Sequence, residues 1–280
     1  VEDCEVLYGY FNKGKLVRAA KKVKWVATAS AGVDYLADES LYHSPDVILT
    51  NSAGSYGITI SEHMIMVLLM MLRDMRHCED MQNKHQWGSL PEMRSIYGGK
   101  FTVIGMGDIG TNFAIRAKAL GASLVRGVRR THKPSDPAFD ETYLFDELDD
   151  AIKGVDAVLL CVPGTRDTVG IIGKKQLEIM GKDTLLINVG RGTAIKQDEL
   201  IFALNNGIIR GAALDVAYPE PLPESDPLWT AKNLILTPHV SGNMSLGVSR
   251  DKCTELFCEN LKRYAAGKPL KNVVNRELGY

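Results

Sequence analysis

The sequence is short of the features that mark specialised protein classes. Its five cysteines, Cys4, Cys78, Cys161, Cys253 and Cys258, are odd in number and scattered, with no Cys-x-x-Cys pair. That excludes a disulfide scaffold, gives no zinc or dithiol signature, and makes a reducing cytoplasm the expected setting, with no metal. The longest apolar run, from Met64 to Leu72, has nine residues, under half of the roughly 20 that a membrane span needs, so it predicts a buried helix. Charge of one sign is not in excess: 33 basic side chains face 34 acidic ones. No broad field is available to gather nucleic acid or anionic membrane, and an anionic ligand would have to be held by a few local charges. The expected partner is a small molecule. Internal repeats, low-complexity tracts and a charged-then-apolar leader are also missing; Val1 is no initiator, so further residues are expected before it.

What is present is ordinary globular composition, 45% hydrophobic and 24% charged over 280 residues, enough for two domains of usual size. Short apolar runs suited to buried parallel strands alternate with stretches of helical spacing, the pattern of an α/β protein. One group of strands is expected at 5–10, 25–29 and 47–50, with a helix over 14–22. A second, at 101–105, 123–128, 157–162, 184–188, 211–215 and 234–237, suffices for a doubly wound sheet. The apolar helix from Ile58 to Leu72 separates the groups, and the polar stretch 73–99 reads as the domain boundary. After His239 the spacing of Val248, Cys253, Leu256, Phe257 and Leu261 is again helical. This end segment either caps the second sheet or returns to the first domain.

Phe101-Thr102-Val103-Ile104 leads into Gly105-Met106-Gly107-Asp108-Ile109-Gly110 and then a helical stretch. This is Gly-x-Gly-x-x-Gly between a strand and a helix. Its first glycine permits the tight turn, its second lets a pyrophosphate approach backbone N–H groups, and its third lets helix and strand pack closely. About 20 residues on, where an NAD site places Asp or Glu, stand Arg129 and Arg130. Guanidinium groups there suit a 2′-phosphate, so NADP(H) is preferred and NAD(H) admissible. The bland alternative is that both arginines are solvated surface charge. Lys133 and His132 add to the same patch.

Three further groups sit just past buried strands, at the carboxyl edge where doubly wound sheets bind ligands. Asn188-Val189-Gly190-Arg191-Gly192 supplies a cation, Thr237-Pro238-His239 an imidazole, and Ala213-Leu214-Asp215-Val216 leads to Glu220 between two prolines. A cation to anchor a carboxylate and polarise a carbonyl, a proton donor, and a carboxylate to tune that donor are what hydride transfer to a 2-oxo acid requires. Taken singly, each residue is more often a solvated charge or a structural histidine; their ordered placement carries the reading.

Together these motifs resemble the D-isomer-specific 2-hydroxyacid dehydrogenase family, with Ala29-Ser30-Ala31-Gly32-Val33-Asp34, Asn51-Ser52-Ala53-Gly54 and Ser61-Glu62-His63 similar to its substrate-domain and dimerisation-helix motifs. The two arginines resemble its NADP-using branch of glyoxylate and hydroxypyruvate reductases. The resemblance implies a Rossmann cofactor domain over 74–243. It also implies a smaller flavodoxin-like substrate domain over 1–73 and 244–280, lacking the usual first strand and helix and completed by the C-terminal helix. It implies His239 as general acid, Glu220 as its partner and Arg191 on the substrate's carboxylate and carbonyl. Ser30, Ala31 and Gly32 would hold the carboxylate's other side. Asp215 would orient the nicotinamide carboxamide, and Cys161, Val162, Pro163 and Thr168 would run under the adenosine. A homodimer built on the 58–72 helix is expected, and catalysis in an interdomain cleft. The rival from another class is a dinucleotide-sensing corepressor that keeps the same fold. Of the other histidines, His43, His77, His85 and His132 have no comparable setting, and His63 reads as a core or interface residue. Met64, Met66, Met70 and Met71 read as packing, and Cys161 as a buried thiol without activation.

Overall fold

The larger sheet has seven parallel strands, the central ones apolar runs covered on both faces: β4 (Lys100–Ile104), β5 (Leu124–Arg129), β6 (Glu141–Leu144), β7 (Ala157–Leu160), β8 (Leu185–Asn188), β9 (Gly211–Leu214) and β10 (Leu234–Leu236). Every residue of β7, β8 and β9 is buried, which is why these strands read as continuous apolar runs rather than alternating ones. Their order, β10-β9-β8-β7-β4-β5-β6, is that of a doubly wound sheet whose strand order reverses between β4 and β7. Helices α4 (Asp108–Ala119), α5 (Leu148–Ala151), α6 (Lys174–Met180) and α7 (Gln197–Asn205) connect the strands. Under α4, Phe101 and Phe113 meet edge to face, their ring centroids 6.1 Å apart.

The computed structural model describes residues 1–11, 14–90, 92–134 and 136–279. It divides into two compact units, one of Val1–Thr59, Pro163–Arg166 and Gly242–Tyr280, the other of Ile60–Val162 and Asp167–Ser241. The division falls at Thr59, within helix α2 (Gly57–Leu72), whereas the sequence places its border after residue 73. The reason is packing: Met64, Val67, Leu68 and Leu72 on α2 are at most 2% exposed, and the Met71 methyl closes on the backbone of Gly211 in the larger unit. Within the polar stretch lies a further helix, α3 (Met75–Asn83), that buries no residue; its apolar positions Met75, Cys78 and Met81 are too few among the charged residues to stand out as a core-facing stripe.

The smaller unit holds three parallel strands in the order β1 (Val6–Gly9), β2 (Trp25–Thr28), β3 (Ile48–Thr50). Helix α1 covers only Lys15–Ala19, shorter than the expected 14–22, because Ala20 turns extended to feed β2. The C-terminal helix α8 (Gly247–Ala265) belongs to this unit: Phe257 stacks on Tyr8 and Trp25, and Tyr264 on Trp25. The Trp25 indole N–H is satisfied by Thr50 Oγ1 at 2.9 Å. The expected strand set of the larger sheet omits β6. That edge strand, Glu-Thr-Tyr-Leu, is half solvent-exposed, so it lacks the apolar run by which the others are recognised.

Candidate active site

The glycine-rich turn follows β4 at the point where strand order reverses. Gly105 sits at φ +106°, and a Cβ there would meet the Cys161 backbone at 2.8 Å; a Cβ on Gly110 would overlap the Gly105 carbonyl. Packing within the protein therefore requires both. Gly107 differs, because a Cβ there would meet nothing within 4 Å. It caps α4 with extended backbone, so the space beside it is open to a ligand at a helix N-terminus, where N–H groups favour phosphate. Met106 covers Gly127, whose Cβ would strike the Met106 sulfur. Asp108 opens the helix and accepts from Asn112 Nδ2 at 3.1 Å, and Ile109 is half-buried.

The two arginines that follow β5 do different things. Arg129 turns inward, its Nη2 donating to the carbonyls of Lys133 (2.6 Å) and Pro134 (3.2 Å). Its Nε is buried with no hydrogen-bond partner among the described residues. Arg130 is exposed and lies 3.8 Å from Asp167. Cys161 hydrogen-bonds through its N–H to Ile104 at 2.8 Å, and burial pushes its thiol far up, so it is inert as a nucleophile. Val162 and Thr168 are buried. Pro163 falls in the short segment counted with the smaller unit.

The three charged groups Arg191, Glu220 and His239 come from three loops at the carboxyl edge of β8, β9 and β10. The Asn188 side chain, fully buried, organises the first: its Nδ2 donates to the Arg191 carbonyl at 2.9 Å and its Oδ1 accepts from Gly190 N–H at 3.0 Å. Gly192 then packs so tightly on the Ala217 backbone that any Cβ would overlap it. This contact sets the Arg191 loop against the Glu220 loop. Glu220 folds back, Oε1 accepting from Ala217 N–H at 3.0 Å, and its Oε2 meets His239 Nδ1 at 2.8 Å.

His239 has φ +54°, a left-handed conformation that costs a non-glycine residue about 1–2 kcal/mol. Asp215, 2% exposed, holds it there. Its carbonyl accepts from His239 N–H at 2.8 Å. Its carboxylate accepts from Thr237 Oγ1 (2.6 Å), Val240 N–H (2.9 Å) and Ser241 N–H (2.9 Å). The hydrogen bond to Glu220 raises the His239 pKa above its ordinary value, against burial and the Arg191 charge, which lower it. Burial raises the Glu220 pKa, but His239, the Ala217 N–H and Arg191 outweigh it and leave a net lowering. The imidazolium thus persists to higher pH than a free histidine would allow, with Arg191 near enough to act on both partners. Among the described residues no group of His, Cys, Asp and Glu is arranged to hold a metal, and no helix is long and apolar enough to cross a membrane.

The loop Ser30-Ala31-Gly32 lies in the smaller unit. Ser30 Oγ donates to the Gly32 carbonyl at 2.8 Å, and Asn51 Nδ2 donates to the Ala31 carbonyl at 3.1 Å. Three organising residues escape a sequence reading. Asn188 was visible only as the first residue of Asn-Val-Gly-Arg-Gly, Thr237 as the companion of His239, and His63 as part of Ser61-Glu62-His63 with a core or interface reading.

A doubly wound dinucleotide-type sheet with a carboxylate-supported histidine at its carboxyl edge is the equipment of a nicotinamide-dependent oxidoreductase. The sequence model of the D-isomer specific 2-hydroxyacid dehydrogenase NAD binding domain matches residues 65–241. A D-isomer specific 2-hydroxyacid dehydrogenase family protein from Aeromonas salmonicida is similar in structure, with a TM-score of 0.90 and 31% identity over 99% of this chain and 86% of that one. An NADPH-dependent glyoxylate/hydroxypyruvate reductase from Sinorhizobium meliloti, solved with NADP and sulfate, gives a TM-score of 0.86 at 27% identity over 99% and 86% of the two chains. A glyoxylate reductase from Thermococcus gammatolerans is 31% identical across 95% of this chain and 80% of its own length. The chain belongs to the D-isomer-specific 2-hydroxyacid dehydrogenase family and is an NAD(P)-dependent oxidoreductase.

The paired shifts give a test that needs no substrate. Glu220→Gln removes the partner that raises His239, so the imidazole should titrate at lower pH than in the parent protein, followed by the ring-proton chemical shifts. A midpoint that stays put or rises would show that Glu220 does not set the imidazolium's pH range.

Proposed function

We propose that this protein is an NADPH-preferring reductase of small 2-oxo acids of the glyoxylate and hydroxypyruvate type, forming the D-2-hydroxy acid where the product is chiral. The observation that carries the reading is the 2.8 Å Glu220–His239 pair beside the Arg191 loop. Bound NADPH supplies the hydride to the carbonyl carbon. His239, as the imidazolium that Glu220 maintains, gives its proton to the carbonyl oxygen as negative charge develops there. Arg191 anchors the substrate carboxylate and polarises the carbonyl, and the backbone of Ser30, Ala31 and Gly32 supplies further carboxylate contacts. Reduction should therefore slow as pH rises through the elevated His239 value, where the proton is lost.

Gly105, Met106, Gly107, Asp108, Ile109 and Gly110 would hold the cofactor's pyrophosphate, in keeping with the open space at Gly107. Cys161, Val162, Pro163 and Thr168 would support the adenosine, and Asp215 the nicotinamide carboxamide. For the 2′-phosphate we assign Arg130 as the exposed cation and Arg129 as the brace of the loop, its orphaned Nε adding positive potential. The family also includes D-3-phosphoglycerate dehydrogenases among the relatives of this chain, but the arginine pair in place of an acidic residue favours the NADP-using reductases, such as that from S. meliloti. Five free cysteines suit a cytoplasmic setting. Met66 and Leu69 on α2 are 47% and 37% exposed, and we assign them to the interface of a homodimer built on the 58–72 helix.

Three measurements test these statements. NADPH oxidation with glyoxylate, hydroxypyruvate, phenylpyruvate and 2-oxoisocaproate should show turnover with the two smaller acids, and His239→Gln should reduce kcat by about 100- to 10,000-fold while NADPH still binds. Turnover with none of the acids would remove the reductase assignment. Arg130→Ala, alone or with Arg129→Ala, should weaken NADPH by roughly 10- to 100-fold and NADH little, the worth of one or two charge-assisted hydrogen bonds; equal losses for both cofactors would make the arginines mere surface charge. Sedimentation at micromolar concentration should give twice the chain mass, and a monomer would eliminate the dimer.

A further inference from the structure

His63 is a titratable, half-buried side chain that the mechanism above does not use. It stands on α2, walled by Val67, Ile187, Val189 and Ile235, and its Nε2 lies 3.4 Å from Thr237 Oγ1. The Thr237 hydroxyl donates its single proton to Asp215 Oδ1 at 2.6 Å. With that proton committed, the oxygen faces His63 as an acceptor, so Nε2 carries the hydrogen. Burial lowers the His63 pKa, against the opposing effect of Asp215; the neutral ring therefore prevails near pH 7 and its tautomer is fixed by this contact. The result is a directed chain of donors, from His63 Nε2–H to the Thr237 hydroxyl to the Asp215 carboxylate.

We propose that His63 is a positioning residue for the proton donor, acting through Thr237 on Asp215 and through Asp215 on the left-handed backbone of His239. Asp215 Oδ1 is shared between the Thr237 hydroxyl and Val240 N–H, while Oδ2 accepts from Ser241 N–H. A hydroxyl that loses its donor from His63 is left facing an apolar wall and turns to find another arrangement. The carboxylate then shifts its hold on the segment 239–241. A displacement of about 1 Å in a reacting group costs up to roughly 100-fold in rate. The inference rests on the reading of His239 as the acid, and it extends that reading to a residue on another helix.

The test compares His63→Leu, His63→Gln, Thr237→Val and the double variant His63→Leu/Thr237→Val. In cofactor-free protein, His63→Leu should speed hydrogen exchange at the Val240 and Ser241 amides by about tenfold while the β7 amides stay protected. In turnover it should lower kcat by about tenfold with the KM for the oxo acid little changed. His63→Gln, which keeps a donor, should recover most of both effects. The double variant should be no worse than Thr237→Val alone, because both changes break one chain. Unchanged exchange at Val240 and Ser241, or losses that add in the double variant, would overturn the relay. Thr237→Val carries the same exchange test should His63→Leu not fold. If the parent protein turns over no oxo acid while the exchange results hold, the relay stands and the proposed activity fails.

Discussion

The candidate site depends on one buried carboxylate. Asp215 gathers a hydroxyl and two backbone N–H groups on its side chain and a third N–H on its carbonyl, and all four come from the five residues 237–241. Without that grip the left-handed conformation at His239 has no compensation, since αL backbone is unfavourable for any side chain with a Cβ. The arrangement also answers why a carboxylate is tolerated at 2% exposure: its donors replace the water it has lost, and a buried charge lacking them would be strongly destabilising. Orientation of the His239 imidazole is thus built into the backbone of the larger unit.

Close backbone approach does the remaining assembly. Gly105 against Cys161, Gly190 against Val162 and Gly192 against Ala217 each leave no room for a Cβ. These contacts lock neighbouring carboxyl-edge loops together across the sheet. A parallel sheet brings every strand's carboxyl end to one edge, and the reversal of strand order opens a crevice there. The glycines of the Asn-Val-Gly-Arg-Gly segment serve this packing, while Gly107 alone among the cofactor-type glycines borders open space. Within the Gly-x-Gly-x-x-Gly turn itself both reasons for glycine coexist, packing at Gly105 and Gly110 and open space at Gly107.

The electrostatics of the site are a balance. Glu220 favours the imidazolium at His239, whereas burial and Arg191 oppose it. A proton donor useful near neutral pH needs its titration near the working range, and a site with the cation alone would discharge the imidazole too early. Glu220 is itself held ionised by the same neighbours against the cost of burial. Glu220 and His239 sustain each other's charge, while Arg191 helps keep Glu220 ionised and opposes the imidazolium.

Much of this was legible in the chain itself. Continuous apolar runs announced buried parallel strands, the glycine spacing announced the turn after β4, and Arg191, Glu220 and His239 were marked by their places just past strands. The polar edge strand β6, the exposed helix α3 and the compact border at Thr59 were not, because hydrophobic pattern reports burial and these elements bury little, or bury it against partners distant in sequence. Local order of residues determined the strand set, the glycine turn and the identity of the charged groups. Only tertiary structure decided that Arg129 braces its own loop, that Asn188 shapes the arginine loop, and that His63 reaches Thr237 from 174 positions away. Hydrogen-bond partnership between distant segments is fixed by packing geometry, for which a linear sequence has no local signal.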